Sequence, residues 1–293
     1  MNKITCLCFK GGGVLGVAYC GALKVLWERA LIQSIKRIAG CSAGAILATL
    51  FTVGYTPGEL YTIMSGLNFK SFEDHENIFD LLSPRHGLYR GNYFQTWIEK
   101  LISEKTKIAF ATFRDFHNLG LPDLSTVTTY LNEGDVVICN YNSTPDVIVS
   151  EAVRASMSIP IIFDRFVFTK GFNPTQNFVD GGVMLNYPIS LYCGYPDEET
   201  IGFYLHDINN RQPPRTLDGL GILQYAKATF EALMNSQNAE FFNNSKYIKQ
   251  SIIIDNFGIP ATDFGISDVD KNRLYNSGVE CAEKYLLSLP GFS

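Results

Sequence analysis

Three short stretches of the chain hold residues whose types and spacing could do chemistry. "FKGGGVLG", residues 9–16, contains Gly11-Gly12-Gly13-Val14-Leu15-Gly16, a G-x-G-x-x-G spacing directly behind an apolar run. Glycines at such a turn leave backbone N–H groups free to converge on an anion. That anion is either the pyrophosphate of a dinucleotide or the oxygen of a tetrahedral intermediate in acyl transfer. "GCSAG" sets Ser42 between Gly40 and Gly44, and "VDGG" sets Asp180 before Gly181 and Gly182. A dinucleotide site needs an acidic residue at the tip of the second strand for the ribose hydroxyls. Here that strand runs into Gly40-Cys41-Ser42-Ala43-Gly44 and has no Asp or Glu at its tip. A phosphate-binding Walker loop also fails, because no Gly-Lys-Ser/Thr follows the glycines.

The G-x-S-x-G spacing has a mechanical reason. A nucleophile presented at a sharp strand-to-helix turn occupies a strained backbone conformation, and the residues two positions away must be small for the chain to pass. Gly40 and Gly44 meet that need, and Ser42 then stands at a helix N-terminus, where the dipole favours developing negative charge. A serine nucleophile requires a base. The histidines are His75, His86, His117 and His206. Only His206, in "FYLHDINN", follows a Ser…Asp…His order, and with no other signal around it a core or solvent-facing role accounts for it better. Asp180 follows a short apolar run and precedes two glycines, a backbone able to bend toward a site; by itself the pair is also a plain turn. Cys41 is expected to point away from the tip of the turn.

These residues need strands to carry them and helices to cover them. Ile4–Phe9 reads as a buried strand and Ile35–Ala39 as a second, with Val14–Leu31 as the helix between them. A small-residue helix follows Ser42 to about Val53, where Gly54 stops it. Thr56 then caps another helix, with Pro57 at its first position and Glu59 closing a capping box. A turn-rich segment, Ser83–Asn92, precedes a helix near Tyr93–Ile102. Thr126–Leu131 and Asp135–Asn140 read as a hairpin around Asn132-Glu133-Gly134. Ser150–Ser156 reads as a helix. Phe166–Phe168, Asn177–Val179, Ile201–Leu205 and Ser251–Ile254 read as strands, and Leu217–Phe242 and Asp268–Leu289 as long helices. The alternation predicts one α/β domain over residues 1–293, with a motif-bearing core at about 4–190 and a helical part at about 215–293.

Composition narrows the partners. With 293 residues, 46% of them hydrophobic and 18% charged, the chain can bury a sizeable core. A net charge of −5 offers no basic footprint for nucleic acid and no electrostatic hold on anionic lipid. The 21 Phe and 15 Tyr could serve a membrane surface, although most are expected inside. The 7 cysteines are scattered, without a C-x-x-C pair or Cys/His zinc spacing, and read as buried free thiols in a reducing compartment. Lys10 ends the first apolar run too early for a secretory signal, and no stretch approaches the roughly 18 apolar residues of a membrane span. A cytoplasmic or leaderless secreted protein is the expectation.

In order along the chain, "GGGVLG", "GCSAG", "ASMSIPIIF" and "VDGGVMLNYP" resemble the motifs of the patatin-like lipid acyl hydrolases. The resemblance runs from residue 4 to about 190 and includes "GLYRGNYFQTWI" and "TPDVIVSEAVRASMSIPIIF". It implies a three-layer α/β/α fold with a mostly parallel central sheet, a modified α/β-hydrolase. It also implies a Ser–Asp dyad, with Ser42 as nucleophile and Asp180 as base. The amides of Gly11, Gly12 and Gly13 would hold the oxyanion, and Gly16, Gly40, Gly44, Gly181 and Gly182 are the motif glycines. The implied activity is cleavage of fatty-acyl esters of (phospho)glycerolipids through an acyl-enzyme. No metal or organic cofactor is implied; peripheral membrane contact is, and a protein activator is compatible with it. One departure stands out: Leu15 occupies a position that is usually Arg or Lys in the family, so a charge that could steer a phospholipid head group is missing. The alternatives are a broad carboxylesterase or thioesterase, or a weakly active member that binds membrane or a partner protein.

Overall fold

The computed structural model of the protein describes residues 4–74, 86–209 and 221–289. β1 (Cys6–Phe9) runs through a 3-10 turn at Gly13–Gly16 into α1 (Val17–Glu28). β2 (Arg37–Cys41) leads into α2 (Ala43–Thr52), followed by α3 (Pro57–Ser65), β3 (Gly87–Tyr89), α4 (Asn92–Thr106) and α5 (Phe113–Asn118). Next come β4 (Asp123–Tyr130) and β5 (Asp135–Cys139), α6 (Val149–Ser156), β6 (Ile161–Phe163), β7 (Phe178–Asp180) and β8 (Thr200–His206). The last part holds α7 (Ile222–Ser236), α8 (Asn238–Asn243), α9 (Ser245–Lys249), β9 (Ser251–Asp255) and α10 (Asp268–Ser288).

The main sheet has the order β5-β4-β2-β1-β8-β9, with β7 also paired to β4. β4, β2, β1, β8 and β9 run parallel, while β5 and β7 lie antiparallel to β4. The fold is therefore α/β, a mostly parallel sheet flanked by helices. Parallel strands need both faces covered, and alternate residues supply them. Leu7, Phe9 and Ile38 enter the large core shared with α1, α2 and α10, whereas Cys6, Cys8 and Ala39 pack under Ile189 and Tyr192 on the other face. β3 and β6 form a separate parallel pair.

α1 and α10 cross at close range because glycine stands at both contact points. A Cβ on Gly278 would overlap the Ala18 carbonyl, and one on Gly21 would overlap that of Tyr275. Gly278→Ala gains about 1 kcal/mol of helix propensity but must push two backbones apart, at a cost of about 1–3 kcal/mol or more. The clash dominates, so thermal unfolding is expected to show a lowered midpoint. A midpoint at or above that of the parent would contradict this packing.

Several elements differ from the sequence reading. The helix expected over Val14–Leu31 begins as a 3-10 turn, because the Val14 amide donates to the Ala261 carbonyl, and it ends at Glu28. The second strand lies two residues later, at Arg37–Cys41, where it pairs in register with both β1 and β4. Phe166–Phe168 is not a strand; Phe166 makes one bridge, to Phe178. The helix expected over Leu217–Phe242 is broken at Gln237, whose side chain is bonded elsewhere, and residues 217–220 lie outside the described residues. So do His75 and Ser83–Arg85. The capping box at Thr56 is formed, with the Thr56 amide donating to Glu59 Oε2 at 2.7 Å.

Candidate active site

The strand ends place the site. β2 pairs with β4 up to Cys41↔Val127, and β7 takes over the same edge of β4 at the next position, with Asp180 opposite Thr128. Thus β4 acts as a common template that sets Asp180 beside the residue following Cys41. That residue is Ser42. Its hydroxyl donates to Asp180 Oδ2 at 2.7 Å.

Ser42 has φ 51° and ψ −125°, a left-handed conformation that an L side chain adopts at a cost of about 1–3 kcal/mol. The surroundings enforce it. A Cβ on Gly44 would overlap the Phe9 carbonyl, and one on Gly40 would overlap the Gly44 carbonyl, so Gly44 lets α2 press against β1 and Gly40 lets it fold back closely on β2. Gly16 differs, since a Cβ there makes ordinary contacts at 3.4–3.5 Å. The segment Ser156–Ser158 ties down both chemical residues. Ser156 Oγ accepts the Ser42 amide at 2.8 Å, and the Ser158 carbonyl accepts the Asp180 amide at 2.8 Å. Arg154, itself buried, donates to Ser158 Oγ and to the carbonyls of Arg90 and Gly91.

Asp180 is 0% exposed and Ser42 is 3% exposed. Burial pushes the Asp180 carboxyl up to about 7, against the Gly182 amide at 2.7 Å and the Ser42 hydroxyl, which both favour its ionised form. A carboxylate poised there can accept a proton at neutral pH. The Cys41 thiol is pushed well above its ordinary range by burial and then by the Asp180 charge, which keeps it protonated and out of the chemistry.

The glycine loop lies against the serine, since a Cβ on Gly11 would come within 3.2 Å of Ser42 Cβ. The Gly11 amide is engaged, donating to the Asn186 carbonyl at 2.9 Å. Among the described residues, the amides of Gly12 and Gly13 meet no acceptor. Gly13 has φ +53°, and a Cβ there would overlap the Ala261 carbonyl oxygen, so only glycine fits. Gly182 touches Asp180 and Asn186, and Gly181 packs on Val127 and Cys41. Leu15 is buried in the core. Lys10, just ahead of the loop, is buried with its ammonium on the Leu205 carbonyl, Asn238 Oδ1 and the Tyr204 ring. Burial pulls it down to about 7.

Among the described residues, His86, His117 and His206 stand apart from this arrangement. His206 packs its ring against Phe242 and Tyr204, and burial lowers its pKa. His117 stacks on Tyr141, and His86 is exposed. The sequence reading did not assign Asn186, Ser156 or Gln237. The first two lie within the quoted stretches "VDGGVMLNYP" and "ASMSIPIIF", but their partners are far along the chain. Among the described residues, no group of His, Cys, Asp and Glu could hold a metal ion, and no helix is long and apolar enough to cross a membrane.

A serine elbow, a glycine loop and a buried carboxyl at the ends of a mostly parallel, helix-covered sheet define a hydrolase of the α/β type. The model of the patatin-like phospholipase family matches residues 7–191, and the chain belongs to that family of lipid hydrolases. The protein YqhO of Bacillus subtilis is 30% identical over 292 residues, spanning 95% of this chain and 96% of its own. A probable lipid hydrolase, 463L of invertebrate iridescent virus 6, is 25% identical over 194 residues, 66% of this chain and 64% of its own. The crystal structure of VipD from Legionella pneumophila shares the fold with a TM-score of 0.69 at 16% identity, over 97% of this chain and 67% of that one.

Proposed function

We propose that the protein cleaves fatty-acyl esters of glycerolipids through a Ser42–Asp180 dyad and an acyl-enzyme. The observation that carries this reading is the direct 2.7 Å hydrogen bond from the Ser42 hydroxyl to Asp180, beside two unengaged loop amides. Ser42 Oγ attacks the ester carbonyl as its proton passes to Asp180 Oδ2. The carbonyl electrons move onto oxygen, and the amides of Gly12 and Gly13 stabilise that charge. Collapse breaks the ester bond, and the leaving alcohol, a lysolipid or partial glyceride, takes the proton from Asp180. Water then attacks the acyl-Ser42 and gives a proton to Asp180, and the second collapse releases fatty acid as Asp180 returns that proton to Ser42 Oγ.

Two features support a lipid substrate over a water-soluble ester. One relative carries the description of a probable lipid hydrolase. Ile161 on β6, Met184 just past the acid loop and Leu233 on α7 are 40–42% exposed, and α7 packs against both β6 and the acid loop, so these side chains supply apolar surface for contact with lipid. The ionised carboxylate is the active form. Turnover is therefore expected to rise with pH through about 7 and to fall about tenfold per unit below it; a kcat/KM profile flat down to pH 5 would contradict the assignment of Asp180.

The reading is tested with vesicles of mixed phosphatidylcholine and phosphatidylethanolamine and with a triacylglycerol emulsion, followed by mass spectrometry. Free fatty acid with its matching lysolipid or diacylglycerol is expected from the parent and not from Ser42→Ala. Equal release by both proteins, or none from any acyl ester with or without cell extract, would overturn it.

A further inference from the structure

Gln237 stands at the break between α7 and α8, outside the segment matched by the family model. Its side-chain amide is used at both ends. Oε1 accepts the Asn186 amide at 2.8 Å, and Nε2 donates to the Gly182 carbonyl at 2.8 Å. Each of those partners leads directly into the site. The Gly182 amide donates to Asp180 Oδ1 at 2.7 Å, and the Asn186 carbonyl accepts the Gly11 amide at 2.9 Å. One half-buried side chain thus pins two points of the acid loop, and the second of them, Asn186, holds the glycine loop. The next residue extends the grip, since Asn238 Oδ1 accepts from Lys10 Nζ and from the Tyr204 hydroxyl.

We infer that Gln237 is a positioning residue for the dyad, acting from the C-terminal helices to hold the Gly182 peptide against Asp180. The inference rests on the dyad reading above. Only an amide has the acceptor and the donor that these two backbone groups require; a carboxylate would set oxygen against the Gly182 carbonyl. With Nε2 gone, the peptides on either side of Gly182 are free to turn, and the carboxylate loses one of the two donors that favour its ionised form. A hydrogen bond to a charged group corresponds to about one pH unit of titration. The effect of losing it is therefore confined to the acid side of the profile. A residue that merely supports the fold would lower the rate by one factor at every pH.

The test is hydrolysis of p-nitrophenyl butyrate across the pH range by the parent, Gln237→Met and Gln237→Glu, with fluorophosphonate labelling of Ser42 as a parallel readout. Gln237→Met keeps the length and removes both hydrogen bonds. Its kcat/KM limb is expected to move up by about one unit, a loss of about tenfold at pH 6 that closes to near parity above pH 9, with KM little changed. Gln237→Glu keeps the contact to the Asn186 amide and loses the one to Gly182, so its limb moves at least as far, and it carries the test should the Met variant fail to fold. A labelled, active variant whose profile superposes on the parent, or drops uniformly, overturns the inference and leaves the dyad standing. A parent that neither labels at Ser42 nor turns over ester overturns the dyad, and the role of Gln237 falls with it.

Discussion

Asp180→Asn is expected to lower kcat by about 10⁴-fold or more, since general-base catalysis is worth up to about 10⁴ and removal of the base in contact with a serine nucleophile costs up to about 10⁶. Asparagine keeps the shape of the side chain and can still accept the Gly182 amide, but it cannot take the Ser42 proton. The same change is expected to raise the unfolding temperature at pH 8. In the folded protein Asp180 holds its proton up to about 7, whereas in the unfolded chain it ionises near 4. Folding therefore binds a proton between those values, and stability falls as pH rises through that window and stays lower above it. The Asp180→Asn variant carries no such penalty, so the stability gain should be present at pH 8 and shrink toward pH 4. Comparison of kcat with p-nitrophenyl butyrate and of melting curves at the two pH values checks both parts. Activity within tenfold of the parent would remove Asp180 from the role of base.

Gly13→Ala carries the second-largest effect. The methyl group must be accommodated at φ +53° and directly on the Ala261 carbonyl, so the loop has to shift as a unit. Its amides then no longer point where the oxyanion forms, and loss of one such donor costs about 10²–10³ in kcat. Gly12→Ala is the informative contrast. Its Cβ meets only Leu205 Cδ1, at 2.5 Å, the end of a side chain that can rotate away. A smaller loss is expected there. If Gly12→Ala proves the more damaging of the two in folded protein, the amide of Gly13 is not the dominant donor.

The legible parts of this molecule are those that a few neighbouring residues decide. The serine elbow follows from Gly40 and Gly44 because the overlaps they avoid lie within the turn and the adjacent β1. The Thr56 capping box and the β4–β5 hairpin are local in the same way. The second capping box, Thr112 with Asp115, carries the same kind of signal, but the helix it opens is only six residues long, room for the single apolar pair Phe113 and Phe116 and no longer period. β3 and β6 are three residues each and are strands only by pairing with one another.

Non-local pairing decides what the sequence does not display. Asp180 reaches Ser42 because β2 and β7 share successive positions along one edge of β4, which no spacing between residues 42 and 180 announces. The glycine loop was expected to offer three amides, yet Gly11 is bonded to Asn186, a partner 175 positions away. Helical propensity likewise runs unbroken from α7 into α8, and the break at Gln237 follows from side-chain bonds to residues 182 and 186.

The central claim is that Asp180 alone activates Ser42, without a histidine. The most direct measurement is the rate of fluorophosphonate labelling, read by intact mass, for the parent, Ser42→Ala, Asp180→Asn and His206→Gln. The dyad predicts one adduct on the parent and on His206→Gln at rates within several-fold, much slower labelling of Asp180→Asn, and none of Ser42→Ala. An adduct that persists in Ser42→Ala, or labelling lost in a folded His206→Gln, would contradict it.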